Sequence, residues 1–179
     1  MNSPEGTGWL HITTPEKCEV SQISVGPTGL VWAVTWHGKA LVRLGVTRID
    51  PFGTSWSILD PPGPSSPLNM VSVGSHVVWA TARDRSVWFR NGIHGGGSGD
   101  SEALARGVKW VGMVGEMNMI SIGPLDQVVG IQDDQERCIV IRTGVSSSDL
   151  SGKTWKTVSA GICHDHFSGA NFRPGNHYL

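Results

Sequence analysis

Charge imbalance, paired cysteines, tyrosine and long apolar runs are what this 179-residue sequence is short of. Its 14 Lys and Arg are met by 15 Asp and Glu. Nucleic-acid binders carry a basic excess, so this balance argues against a surface built to hold phosphates. The three cysteines, Cys18, Cys138 and Cys163, are odd in number and have no framework spacing. No Asn is followed by x-Ser or x-Thr either, so two marks of a secreted lectin are missing. Met1-Asn-Ser-Pro-Glu-Gly6 lacks the basic-then-apolar order of a signal peptide. No apolar run approaches the ~20 residues of a membrane span. The expectation is a reducing, cytosolic compartment.

The apparatus of catalysis is missing as well. There is no Gly-x-Ser-x-Gly, no phosphate loop and no Ser-His-Asp context. Asp133 and Asp134 are adjacent, so on a strand they face opposite ways. The run Asp133-Asp-Gln-Glu136 lacks the alternating ligands and central glycine of a calcium loop, and reads as a solvated hairpin tip. Cys163, His164 and His166 have no fourth ligand at zinc spacing. No enzyme, metal or cofactor is expected.

What the chain has in quantity is glycine, 24 residues, and tryptophan, eight against a single tyrosine. Glycine suits tight turns and tryptophan suits strands, so many short strands are implied. The sequence also repeats. Gly26, Gly74 and Gly123 lie 48 and 49 residues apart, each ending an Ile/Val-Ser-Val/Ile-Gly phrase. The tryptophans Trp9, Trp56, Trp110 and Trp155 are spaced by 47, 54 and 45. A period of this size with β-type segments indicates propeller blades.

In chain order, 1–12 reads as the closing strand of an otherwise missing blade. A full blade spans 20–59, with strands near 20–25, 30–36, 39–44 and 54–59. The proline-rich 60–68 is a stiff linker. A second blade covers 69–114, with strands near 69–74, 76–81, 86–90 and 108–114. Its Arg-to-Trp distance, Arg90 to Trp110, is 20 residues against 13 in its siblings. The glycine-rich 94–99 marks an inserted loop. A third blade covers 118–159, with strands near 118–123, 127–132, 137–142 and 153–159, and 160–179 is a non-repeating tail. Three blades and a strand are fewer than the four a closed propeller needs, so the expected fold is an all-β, partial propeller.

The recurring tryptophans Trp9, Trp32, Trp56, Trp79, Trp110 and Trp155 are expected between sheets. Burying each removes roughly 200 Å² of surface, worth several kcal/mol at ~25 cal/mol per Å². Val129 stands where Trp32 and Trp79 stand in the other blades. Trp36 and Trp88 fall outside the repeat positions and are candidate surface platforms for a glycan. Arg43, Arg90 and Arg142 recur once per blade. Two roles are open to them: stacking on tryptophan and bonding loop carbonyls, or forming a basic ring for anionic lipid headgroups.

The phrases Ile23-Ser-Val-Gly26, Val31-Trp-Ala33, Arg43-Leu-Gly-Val46, Gly53-Thr-Ser-Trp56 and Leu150-Ser-Gly-Lys-Thr-Trp155 resemble tectonin repeats. Over about 3–159 the chain resembles the vertebrate tectonin beta-propeller repeat-containing proteins. That resemblance implies a cytosolic scaffold at autophagosome or lysosome membranes, with autophagy or endolysosomal proteins as partners. It implies no activity in the array itself; the family's lipid-binding and ligase-binding segments lie elsewhere. A carbohydrate-binding tectonin domain and direct binding of anionic lipid headgroups are the alternatives.

Overall fold

The computed structural model describes residues 8–93, 102–132 and 138–158. The first blade is the sheet β1 (Val20–Val25), β2 (Val31–Thr35), β3 (Ala40–Leu44) and β4 (Ser55–Leu59), paired antiparallel in that order. The second blade is β5 (Leu68–Val73), β6 (Val78–Ala82), β7 (Ser86–Arg90) and the first half of β8 (Trp110–Ile122). The rest of β8 joins β9 (Val128–Gln132), β10 (Ile139–Thr143) and β11 (Thr154–Thr157) as the third. These strands are β-branched and aromatic, and glycine or proline separates most of them.

β8 serves two blades because its partner changes midway. Residues from Trp110 to Glu116 pair with β7, and Met117 to Ile122 pair with β9. Gly115 stands just before the exchange with φ 118°, a backbone that L side chains rarely adopt. The two strands expected at 108–114 and 118–123 are therefore one ladder with a glycine corner.

Two further expectations are corrected. Residues 8–19 contain no strand, and Trp9 is fully exposed. A closing strand needs a third strand to pair with, and among the described residues this segment has none beside it. In the inserted loop of the second blade, Glu102–Arg106 forms a short helix, α1. It docks on the first blade, where the Ser57 hydroxyl donates to Glu102 Oε1 at 2.7 Å. The glycine run 94–99, the acidic tip 133–136 and the tail with Cys163, His164 and His166 lie outside the described residues.

Blades stack face to face, and equivalent positions differ in burial according to whether a neighbour is present. Ile23, Val71 and Ile120 occupy the same register position on β1, β5 and β8. Ile23 is 58% exposed, while Val71 and Ile120, each covered by the preceding blade, are 1% and 3%. On the opposite face Trp32 and Trp79 are completely buried, and Val129 at the same position of the last blade is 38% exposed. The two interior interfaces are the cores. One joins Trp32, Val34 and Val42 to Leu68, Val71 and Val78; the other joins Trp79, Val87 and Phe89 to Met117, Ile120 and Val140.

Two of the three repeat glycines, Gly26 and Gly74, lie at these interfaces. A Cβ on Gly26 would stand 2.6 Å from Val73, and one on Gly74 would stand 2.2 Å from Asp126 Oδ1 and 3.0 Å from Ile122. A Cβ on Gly123 would meet the end of the Gln127 side chain of its own turn at 2.7 Å, with the Gln127 carbonyl oxygen at an ordinary 3.9 Å. Gly74→Ala is therefore expected to destabilise the protein by about 1–3 kcal/mol through overpacking. Gly123→Ala should stay within about 0.5 kcal/mol. Urea denaturation of the two variants side by side checks the contrast; equal losses would contradict it.

Candidate functional site

The recurrent aromatic and cationic side chains meet in one motif at both blade interfaces. Trp110 and Trp155 each pack edge-on against the second-strand tryptophan of the preceding blade. Trp110 meets Trp32 at 6.1 Å and 82°, and Trp155 meets Trp79 at 5.7 Å and 74°. Such edge-to-face pairs add ~0.5–1.5 kcal/mol beyond burial. The indole N–H of each closing tryptophan also donates backwards along the chain. Trp56 donates to Thr13 O at 3.0 Å, Trp110 to Asp60 O at 3.3 Å and Trp155 to Val114 O at 2.9 Å. Each acceptor lies four residues past the previous closing tryptophan. The segment after Trp9 thus supplies its carbonyl although it forms no strand.

The arginines complete the motif. Arg43, Arg90 and Arg142 lie over Trp56, Trp110 and Trp155 at 5.1, 5.2 and 5.1 Å. Each guanidinium also clamps the loop ahead of its tryptophan. Arg43 donates to Phe52 O and Gly53 O, Arg90 to Arg106 O and Gly107 O, and Arg142 to Ser151 O and Gly152 O. The glycine in each loop has φ between 64° and 66°, which lets its carbonyl turn toward the guanidinium. Burial pulls the pKa of Arg90 and Arg142 down from the ordinary value; Arg106 adds to this for Arg90, and Asp149 opposes it for Arg142. A basic ring open to lipid headgroups is not formed, since Arg90 and Arg142 are only 7% and 8% exposed. Arg43 is half-buried in the same clamp.

Trp36 and Trp88 separate. Trp36 is 61% exposed. It lines a groove of about 430 Å³ with Ser21, Leu68, Asn69 and Arg83, whose guanidinium donates to Trp36 O. Trp88 is not a surface platform. It is half-buried against the first core, and its indole N–H donates to Ser86 Oγ at 2.8 Å.

A second set of inter-blade contacts was not anticipated from the sequence. Ser24 Oγ accepts the Val73 N–H at 3.1 Å, and Ser72 Oγ accepts the Ile122 N–H at 3.0 Å. The Gln22 amide exchanges two bonds with the Val71 main chain, both 3.0 Å. Asp126, buried, takes the Ser75 N–H at 2.6 Å and contacts His76 Nδ1 at 2.9 Å, joining second and third blades. The signal was legible: Ser24, Ser72 and Ser121 recur with the glycines. Among the described residues, no group of three His, Cys, Asp or Glu could hold a metal ion, and no helix is long and apolar enough to cross a membrane.

The arrangement is built for cohesion, and it can be tested as such. Arg142→Leu should cost about 2 kcal/mol or more, because it strands two carbonyls and removes a stack. Arg142→Lys should recover only part of the loss, since an ammonium lacks the planar fork. Chemical denaturation of both variants measures this; a fully restored lysine variant would contradict the clamp.

Comparison with known proteins agrees with this architecture. The sequence profile of the tectonin domain matches residues 63–172, and that of a propeller repeat matches 30–59. The chain is 45% identical over 158 residues to the Drosophila melanogaster tectonin beta-propeller repeat-containing protein, covering 87% of this chain and 12% of the relative. It is 46% identical over 129 residues to Mus musculus tectonin beta-propeller repeat-containing protein 1, covering 72% and 10%. The chain thus spans only a small part of these relatives. Among solved structures, human WBSCR16 aligns with TM-score 0.58 at 10% identity, covering 85% of this chain and 41% of that one. Virginiamycin B lyase from Staphylococcus aureus aligns with TM-score 0.51 at 15% identity, covering 87% and 46%. Both likenesses concern the fold alone. With the tectonin profile matched over residues 63–172, and with Trp32, Trp79, Trp110, Trp155 and Gly74 built into blade interfaces, the chain belongs to the tectonin domain family.

Proposed function

We propose that the chain is a non-enzymatic propeller scaffold that presents loops to protein partners in autophagy or at endolysosomal membranes. The observation that carries this reading is a constant frame with variable loops. Between the arginine and the closing tryptophan the three blades share one clamp. Yet the intervening loop is Arg48-Ile-Asp-Pro-Phe52 in the first, a helix-bearing insertion in the second and Ser146-Ser-Ser-Asp149 in the third. Loops that vary on a rigid support are where binding specificity is usually held. The autophagic and lysosomal setting rests on the resemblance to tectonin beta-propeller repeat-containing proteins, of which this chain is a small part.

A second reading, carbohydrate binding, is favoured by Trp36. An exposed indole beside Arg83, Asn69 and Ser21 offers a sugar both a stacking face and polar groups. A glycan array with Trp36→Ala separates the two readings: signal lost in the variant favours the lectin, and a blank array favours the scaffold.

The scaffold reading is tested by quantitative affinity capture with the full-length protein that contains this array, compared with the same protein lacking it. The expected result is selective loss of autophagosomal or lysosomal proteins when the array is removed. Identical captured sets would overturn the reading.

A further inference from the structure

The loop between β3 and β4 holds two apolar side chains out in water. Ile49 is 97% exposed and Phe52 49%. The loop is nonetheless tightly tied. Thr47 N–H donates to Asp50 O at 2.8 Å, and Asp50 Oδ1 takes the N–H groups of Phe52 and Gly53 at 3.1 and 3.2 Å. Arg43 holds the carbonyls of the same two residues. Pro51 stiffens the tip further.

The third blade makes the same turn with different side chains. Asp149 Oδ1 takes the N–H groups of Ser151 and Gly152 at 3.1 and 3.2 Å, and Ser146 N–H donates to Asp149 O at 2.9 Å. The counterparts of Ile49 and Phe52 are Ser148 and Ser151, so the turn does not require apolar residues. Ser148 also remains exposed although its blade is stacked on the one before it. A blade placed ahead of the first one would therefore leave Ile49 uncovered. Whatever covers this side chain comes from beyond the loop end of the blades.

Strand directions put the β1–β2 turns and β3–β4 loops of all three blades at one end. Val108 and Leu125, 70% and 77% exposed, leave from that end too. So do the exposed Arg48, Lys109 and Lys153. The carboxylates there keep their charge but are turned inward or paired: Asp50 and Asp149 cap their own turns, Asp126 is buried and Glu102 pairs with Arg106. Ser151, followed by other loop donors and Lys153, holds the Asp149 carboxyl below the usual range. Single apolar tips on successive blades, separated and flanked by bases, do not form one pocket for a protein side chain. A fluid interface accommodates each of them separately.

We propose that this end of the blades docks on an anionic membrane surface, with Ile49 and Phe52 entering the headgroup boundary and Arg48 contacting lipid phosphate. Two side chains are a small anchor, and even one myristoyl chain gives only marginal, reversible binding. The contact is thus transient and depends on anionic lipid. The arginines of the blade interfaces take no part in it.

The test is flotation of the complete chain with phosphatidylcholine vesicles and with vesicles that also contain phosphatidylserine. The chain is expected to float with the anionic vesicles only, less so at high salt. Ile49→Ser combined with Phe52→Ser installs what the third blade already carries. It should lower the bound fraction by about tenfold for two lost apolar anchors, with an unchanged unfolding midpoint. Should that pair unfold, Arg48→Glu provides the readout, and it should abolish the preference for anionic lipid. Equal flotation of wild type and variants, or a chain that floats with neither vesicle, would overturn the proposal. So would variants that bind vesicles normally but lose a protein partner.

Discussion

One contact holds this molecule together: an indole wedged edge-on against another indole across two sheets, with a guanidinium over it. A four-stranded antiparallel sheet exposes two faces, and neither is stable in water if it is apolar. Stacking tilted sheets leaves a gap that widens outward from the inner strands. Trp110 against Trp32 and Trp155 against Trp79 span that gap with large flat side chains. The cost of burying the indole N–H groups is handled unequally. The closing tryptophans Trp110 and Trp155 donate to main-chain carbonyls, whereas Trp32 Nε1 and Trp79 Nε1 have no hydrogen-bond partner among the described residues. The second-strand indoles are therefore retained for shape, and the aromatic contact offsets the unmet donor.

The arginines explain why this packing also fixes the loops. Each joins three things: its own strand, the closing tryptophan and two carbonyls of the loop between them. Stack and loop are thus set by the same side chain. This is how the sheets keep one geometry while the loop residues change from apolar to serine-rich. It is also why the residues that recur from blade to blade are poor guides to ligands: they are consumed by cohesion.

Much of the fold was legible in the sequence, for a physical reason. Strand positions followed from alternation and from turn residues, because both are local properties. Interface burial of Trp32, Trp79, Trp110 and Trp155 followed from repetition, since only a shared environment keeps one large residue in register. What failed was long-range. Trp9 carries the repeat's sequence mark, yet a strand forms only where a neighbour supplies hydrogen bonds. Trp88 falls outside the repeat, but a small residue across the sheet, Gly112, gives its ring a seat within 3.4 Å of the ideal Cβ position. Helix α1 in the second-blade insertion was missed because its docking partner, Ser57, lies 45 residues away. The serine and glutamine bonds between inner strands were hidden for the same reason, although the serines repeat.

The account stands most directly on the coupling between Trp79 and Trp155. A double-mutant cycle with Trp79→Leu, Trp155→Leu and the combined variant, read by urea denaturation, isolates it. Stacking of blades through these rings predicts a coupling of about 0.5–1.5 kcal/mol. Losses that simply add, within about 0.3 kcal/mol, would contradict it.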